Sequence, residues 1–200
     1  VTGSSRTDAG VHAKGFIANF KTNSNVPPER FREALNVKLP NDIVVVKSEK
    51  VEDDFHARYC AKGKTYEYYI LNDQVPSALM RNQVYHYKYD LNIEAMKEGA
   101  QQFIGTHDFA AFKTQGSSVK GTIRTIFDVK VEKTEKIIKI SVSGDGFLYN
   151  MVRIIVGTLI NVGRGKTPAS SISNIIAQKD RTLAGDCVPP NGLLLKEVYY

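Results

Sequence analysis

The chain has 200 residues, 42% of them hydrophobic, and carries 27 Lys and Arg against 21 Asp and Glu for a formal net charge of +6. That is enough apolar material for two small domains or one large one, and the positive excess fits a polyanionic partner without requiring one. Two distant cysteines (Cys60, Cys187) and four scattered histidines (His12, His56, His86, His107) exclude a disulfide framework and argue against a metal site, while the longest apolar stretch, 151–160, contains Arg153 and is too short to cross a bilayer.

In chain order, residues 12–21 alternate Ala13, Gly15, Ile17 and Asn19 against Lys14, Phe16, Ala18 and Phe20, the pattern of a strand. Pro27 and Pro28 then open a helix whose apolar face is Phe31, Ala34 and Leu35, and Pro40 stops it. The β-branched run 43–46 reads as a buried strand, and 55–59 as its extended continuation. Residues 64–71 form an aromatic strand, and 72–90 a loop followed by a short strand. Residues 92–104 form an amphipathic helix with Ile93, Met96, Ala100, Phe103 and Ile104 on one face, closed by Gly105. A hairpin follows, 122–133 and 136–143, with Phe127, Val129 and Val131 on its buried side. An apolar helix over 148–162, another opened by Pro168, and a last strand over 193–199 complete the chain.

Strands in pairs with helices between them predict an α+β protein. It has two similar domains, each a largely antiparallel sheet with helices on one face, and an active-site cleft between them. The boundary falls in 55–63: residues 1–60 are the remainder of an N-terminal domain, and 61–200 are a C-terminal domain. The chain opens on Val1 and enters a dense motif almost at once, so we expect a preceding segment that contributes a strand to the first sheet. No signal peptide is visible, and with the cysteine usage the expected setting is the cytoplasm.

The motif is Ser5-Arg6-Thr7-Asp8-Ala9-Gly10-Val11-His12-Ala13. Small residues around an Arg and an Asp, just before a strand, make a loop that a ligand can approach closely. A carboxylate there can serve as nucleophile or base, and a neighbouring guanidinium holds it oriented. The competing reading is an Asx-turn capped by Asp8, with Arg6 as a solvated charge. Arg153 lies within an apolar helix, where an unpaired guanidinium is costly, so it must find an acid or reach solvent; Asp8 is the natural acid. Tyr66 has a strand alternation that places it in the core, and Leu193 is indistinguishable from any core leucine.

The nine-residue motif resembles the active-site segment of the tRNA pseudouridine synthase A family, with Ser5 where the family has Gly. Residues 54–59 (DFHARY) and 64–68 (KTYEY, with Lys64 for the usual Arg) resemble further family segments in the same order, as do His107-Asp108-Phe109, 147–153 (FLYNMVR) and 192–195 (GLLL). The likeness covers essentially the whole chain.

The resemblance implies the pseudouridine synthase fold and a cofactor-free, metal-free isomerisation of uridine. Asp8 is then the catalytic carboxylate, Tyr66 stacks on the flipped uracil and serves proton transfer, and Arg153 pairs with Asp8. Leu193 lines the base pocket and Arg6 holds the extruded nucleotide. From their place on loops or strand ends near the cleft, and not from the resemblance, Arg6, Lys14, Arg58, Lys62, Lys64, Lys113, Lys120 and Arg124 are expected to meet phosphates, while His107 either contacts RNA or caps a turn. The implied partners are tRNA, bound through its anticodon arm, and a second copy of the chain in a homodimer; no membrane is implied. Two rivals are a clamp that binds tRNA without chemistry, and a glycoside hydrolase, for which Asp54, Asp108 or Asp145 would have to supply a second acid.

Overall fold

The computed structural model describes residues 1–114, 116 and 121–200; Lys120 lies outside them. The chain forms two compact units: Val1–Ser4 with Ile17–Cys60, and Ser5–Phe16 with Ala61–Tyr200. The motif carrying Asp8 thus packs with the larger unit rather than with the residues that follow it in sequence.

In the smaller unit, β1 (Thr2–Gly3) pairs antiparallel with β3 (Ala18–Asn19). After a 3-10 turn, Pro28–Arg30, comes the short helix α1 (Phe31–Asn36), and Phe31 meets Phe20 edge to face at 5.5 Å. Two expectations fail here. Residues 43–46 form no strand, and Ile43, Val44 and Val46 are exposed. Asn36 takes up the backbone of Val45 instead, accepting from its N–H at 2.7 Å and donating to its carbonyl at 2.9 Å. A β-branched run without a partner strand has no ladder to join. Residues 55–59 are likewise turned, not extended: Asn19 holds the Phe55 carbonyl and the Ala57 N–H, and His56 Nδ1 accepts from the N–H groups of Arg58 and Tyr59. Among the described residues this unit's sheet is a two-residue ladder, unlike the large sheet of the other unit.

That sheet has seven strands: β2 (His12–Ala13), β4 (Gly63–Leu71), β5 (Tyr85–His86), β6 (Gly105–Asp108), β7 (Ile123–Thr134), β8 (Ile137–Gly144) and β9 (Leu193–Tyr199). Their order is β2-β9-β4-β8-β7-β6, with β5 beside the end of β4. Pairing is antiparallel except β2 with β9 and β4 with β5. The expected long strand over 12–21 is cut in two. Lys14 and Gly15 both donate to the Leu195 carbonyl, and a Cβ at position 15 would lie 2.4 Å from the Lys196 oxygen, so only glycine fits where the chain leaves the sheet.

Helices α2 (Ile93–Gln101), α3 (Met151–Gly163) and α4 (Ile172–Gln178) supply the other half of the core. Asn92 caps α2 by accepting from Ala95 N–H, and Met96, Ala100 and Phe103 are buried while Ile104 is partly exposed. The helices' buried residues join Tyr66, Tyr68, Ile70, Val142, Ile140, Leu193 and Leu195 in one apolar cluster. Phe127 departs from the predicted alternation and is half exposed. A bulge between Ile126 and Asp128 shifts the register, so that Ile126 turns inward in its place. Tertiary structure is therefore α+β with a mainly antiparallel sheet.

Candidate active site

The loop 5–11 enters β2, which is locked to β9 in parallel register, His12 opposite Leu194 and Ala13 opposite Leu195. Its turn is closed by Val11 N–H donating to the Asp8 carbonyl at 3.1 Å, and Gly10 has a φ of +85°, a left-handed backbone suited to glycine. His12 is drawn away from the loop by the Asn82 carbonyl, 2.5 Å from its Nε2.

The Asp8 carboxylate meets a guanidinium. Arg153, in the first turn of α3, donates from Nη1 to Asp8 Oδ2 at 3.1 Å, from the same nitrogen to Asn150 Oδ1 at 2.8 Å, and from Nε to the Val188 carbonyl at 2.6 Å. Only 14% of the Arg153 side chain is exposed, against 36% for Asp8, so the cation is internal while the carboxylate keeps an open side. A cation in the first turn of a helix opposes the helix dipole, and the Asp8 carboxylate offsets this. The apolar helix tolerates Arg153 because its Nε and Nη1 end on three acceptors, one of them a carboxylate.

Tyr66 stands next to this pair on β4. Its hydroxyl donates to Ser5 Oγ at 3.3 Å, and its buried ring meets Phe147 edge to face at 5.2 Å. Burial raises its pKa above the ordinary phenol value; the Ser5 hydrogen bond opposes this and the Asp8 charge adds to it. The phenol therefore stays protonated and able to donate. Leu193, opposite Tyr68 at the start of β9, is buried on the same side of the sheet. Cys187 senses the same charges: burial pushes its thiol up, against the pull of Arg153 and Arg181.

The remaining candidates are more scattered. Arg6 is exposed and forms no ion pair among the described residues. Lys64 is the second residue of β4, half-buried, two residues before Tyr66. Arg58 belongs to the smaller unit, its guanidinium 5.9 Å from the ring of Tyr59. Lys14 and Lys62 reach the sheet through backbone bonds to Leu195 and Tyr199. Lys113 is half-buried, and Arg124 Nη1 donates to the Ile123 carbonyl at 2.5 Å. His107 is on β6, five strands from β2 and so roughly 24 Å across the sheet. Its Nε2 lies 3.0 Å from the Ile104 carbonyl and its ring packs against Phe109. Among the described residues, no group of three His, Cys, Asp or Glu side chains is arranged to hold a metal ion, and no helix is long and apolar enough to cross a membrane. A hollow of about 320 Å³, lined by residues including Arg81, Tyr85, His86, Pro189 and Asn191, opens near the Val188 stretch, but neither Asp8 nor Tyr66 lines it.

Four contributors carry no assigned role in the sequence. Ser5, Phe147 and Asn150 lie inside the quoted motifs, and only their partners were missing. The Val188 carbonyl has no side-chain signal at all.

The α+β fold thus presents a carboxylate gripped by an internal guanidinium beside a protonated phenol. A family model described as tRNA pseudouridine synthase matches residues 1–60 and 100–200. The chain is 58% identical over 200 residues to tRNA pseudouridine synthase A 2 of Clostridium perfringens, covering 100% of this chain and 82% of that protein. It is 58% identical over 198 residues to tRNA pseudouridine synthase A of Clostridium botulinum (99% and 81% covered) and 56% identical over 198 residues to that of Acetivibrio thermocellus (99% and 81%). The chain belongs to the tRNA pseudouridine synthase family, a family of isomerases. Asp8, Arg153 and Leu193 fall within the segments matched by the family model, whereas Lys64 and Tyr66 fall between them.

Proposed function

We propose that this chain isomerises uridine to pseudouridine in tRNA, with Asp8 as its catalytic carboxylate. The observation that carries this reading is the Asp8–Arg153 ion pair, 3.1 Å, beside the buried Tyr66 hydroxyl, in a chain of this family. The reaction breaks the N1–C1′ bond, turns the base and joins C5 to C1′; C5 gives up its proton and N1 gains one, so the proton count is unchanged. No electron or group passes to a third molecule, so the reaction balances without a cofactor. The base must leave its stack, at a cost of a few kcal/mol that aromatic and polar contacts offset.

Asp8 acts at the ribose, as nucleophile at C1′ or as base. Arg153 aims it, and Tyr66 stacks on the extruded uracil and moves a proton through its phenol. Leu193 lines the base pocket and Arg6 holds the nucleotide outside the stack. Lys64 meets the RNA backbone near the reacting uridine, Arg58 contacts RNA from the smaller unit, and His107 makes a peripheral RNA contact. The substrate uridines are those on the 3′ side of the anticodon arm, and the working enzyme is a cytoplasmic homodimer in which each tRNA touches both subunits.

Incubating the protein with unmodified tRNA and mapping pseudouridine chemically tests this against the non-catalytic clamp. New pseudouridine in the anticodon arm is expected; tight binding without any product would favour the clamp.

A further inference from the structure

Asn150 occupies the N-cap of α3, where an Asn side chain ordinarily accepts from the helix's free N–H groups. Here it does not: it makes no capping bond, and its backbone is left-handed, φ 62° and ψ 8°. Its amide is used elsewhere, at both ends. Oδ1 accepts from Arg153 Nη1 at 2.8 Å, and Nδ2 donates to Thr114 Oγ1 at 3.1 Å. Thr114 is in turn fixed against the same segment, its N–H donating to the Tyr149 carbonyl at 3.2 Å. The nitrogen that meets Asn150 is the one that meets Asp8, whereas the Val188 carbonyl holds only Nε. Val188 holds Nε, and Asn150 gives Nη1 a second acceptor beside Asp8, so the far end of the guanidinium is fixed from its own helix and not by the carboxylate alone.

We propose that Asn150 is a positioning residue that aims the Arg153 guanidinium, and through it the Asp8 carboxylate, with Thr114 as its anchor. The proposal rests on the reading of Asp8 and Arg153 as the reacting centre, and it explains why a capping residue forgoes its cap at a strained backbone position.

The test is Asn150→Gly, because glycine suits the left-handed backbone and removes only the amide. Pseudouridine formation should lose on the order of 10²-fold in kcat, as expected when a catalytic group loses its alignment, with KM for tRNA and the melting temperature unchanged. Thr114→Val, which frees the anchor but leaves the acceptor on Arg153, should lose less in the same direction. In parallel, the Arg153 guanidinium is followed by nitrogen–proton NMR. Its Nη signals should be in slow rotation in the parent protein and averaged in Asn150→Gly, while Nε stays protected by Val188. Parent-like kcat together with an unchanged guanidinium spectrum in Asn150→Gly would overturn the proposal, as would a lowered melting temperature with kcat intact. If the parent protein itself makes no pseudouridine, the functional reading fails, and the spectrum alone decides the positioning role.

Discussion

At one edge of the seven-stranded sheet, β2 delivers Asp8 to a guanidinium from α3; at the other, β6 carries His107, which turns back onto the carbonyl of Ile104. Asp8 lies in the turn that leads into β2, and His107 lies within β6. The difference is in what holds them. Asp8 is tied across elements far apart in sequence, through a cation that is itself held by Asn150 and Val188. His107 is satisfied within three residues and needs nothing else. A group whose orientation is fixed by distant parts of the fold is suited to chemistry, which is intolerant of small displacements, whereas a locally satisfied one is suited to a forgiving contact.

Breaking the tight edge should have the largest effect. Arg153→Met removes the guanidinium but keeps the apolar stem. We expect turnover to fall on the order of 10³-fold or more, with a stability loss of about 2 kcal/mol, below that of a fully buried pair because Asp8 is a third exposed. Denaturant melts and single-turnover assays measure both. Retention of full turnover would detach the pair from the chemistry.

Tyr66→Phe sharpens the comparison inside the tight edge. It keeps the ring against Phe147 but removes the hydroxyl that meets Ser5. A kcat loss of about 10²-fold is expected from the missing proton transfer; a change confined to KM would reduce Tyr66 to a stacking surface. The Ser5 hydroxyl is the partner that this variant leaves without its donor.

Much of this was legible beforehand. The strands 63–71, 123–134, 137–144 and 193–199 and the helices over 93–101 and 151–163 follow from apolar, aromatic and β-branched runs, some periodic, that end in the same core. Residues 43–46 did not follow, because β-propensity describes how well a side chain suits a sheet but not whether a neighbouring strand is there. Phe127 was misplaced by a bulge, which leaves no mark on local alternation. At the site, the Asp8–Arg153 pairing could be anticipated from the cost of a cation in an apolar helix. The Val188 carbonyl could not, since backbone acceptors carry no residue-type signal, and the division of 12–21 between two units depends on the packing of Gly15 against Lys196.

At the loose edge, His107→Ala should raise KM for tRNA by a few-fold at most and leave kcat unchanged, as befits an exposed contact worth well under about 1 kcal/mol. A fall in kcat would erase the distinction between the edges. The last prediction concerns the sheet between them. Burial raises the phenols of Tyr66, Tyr68, Tyr69 and Tyr85 above their ordinary 10.0, Tyr69 to about 12. Below pH 10 these groups are protonated in both the folded and unfolded chain and contribute no slope. Above it the unfolded chain releases protons that the folded one retains, so stability declines as pH rises from 10 towards 12. Melting temperatures taken across that window should drop progressively, and a flat profile would contradict the burial of these rings.

The central claim is that the charge on Asp8, held by Arg153, performs the chemistry. Asp8→Asn keeps the shape and an acceptor for the guanidinium while removing that charge. Measured side by side with the parent protein, the variant should bind unmodified tRNA as tightly and form no pseudouridine; pseudouridine appearing at the parent rate would contradict the account.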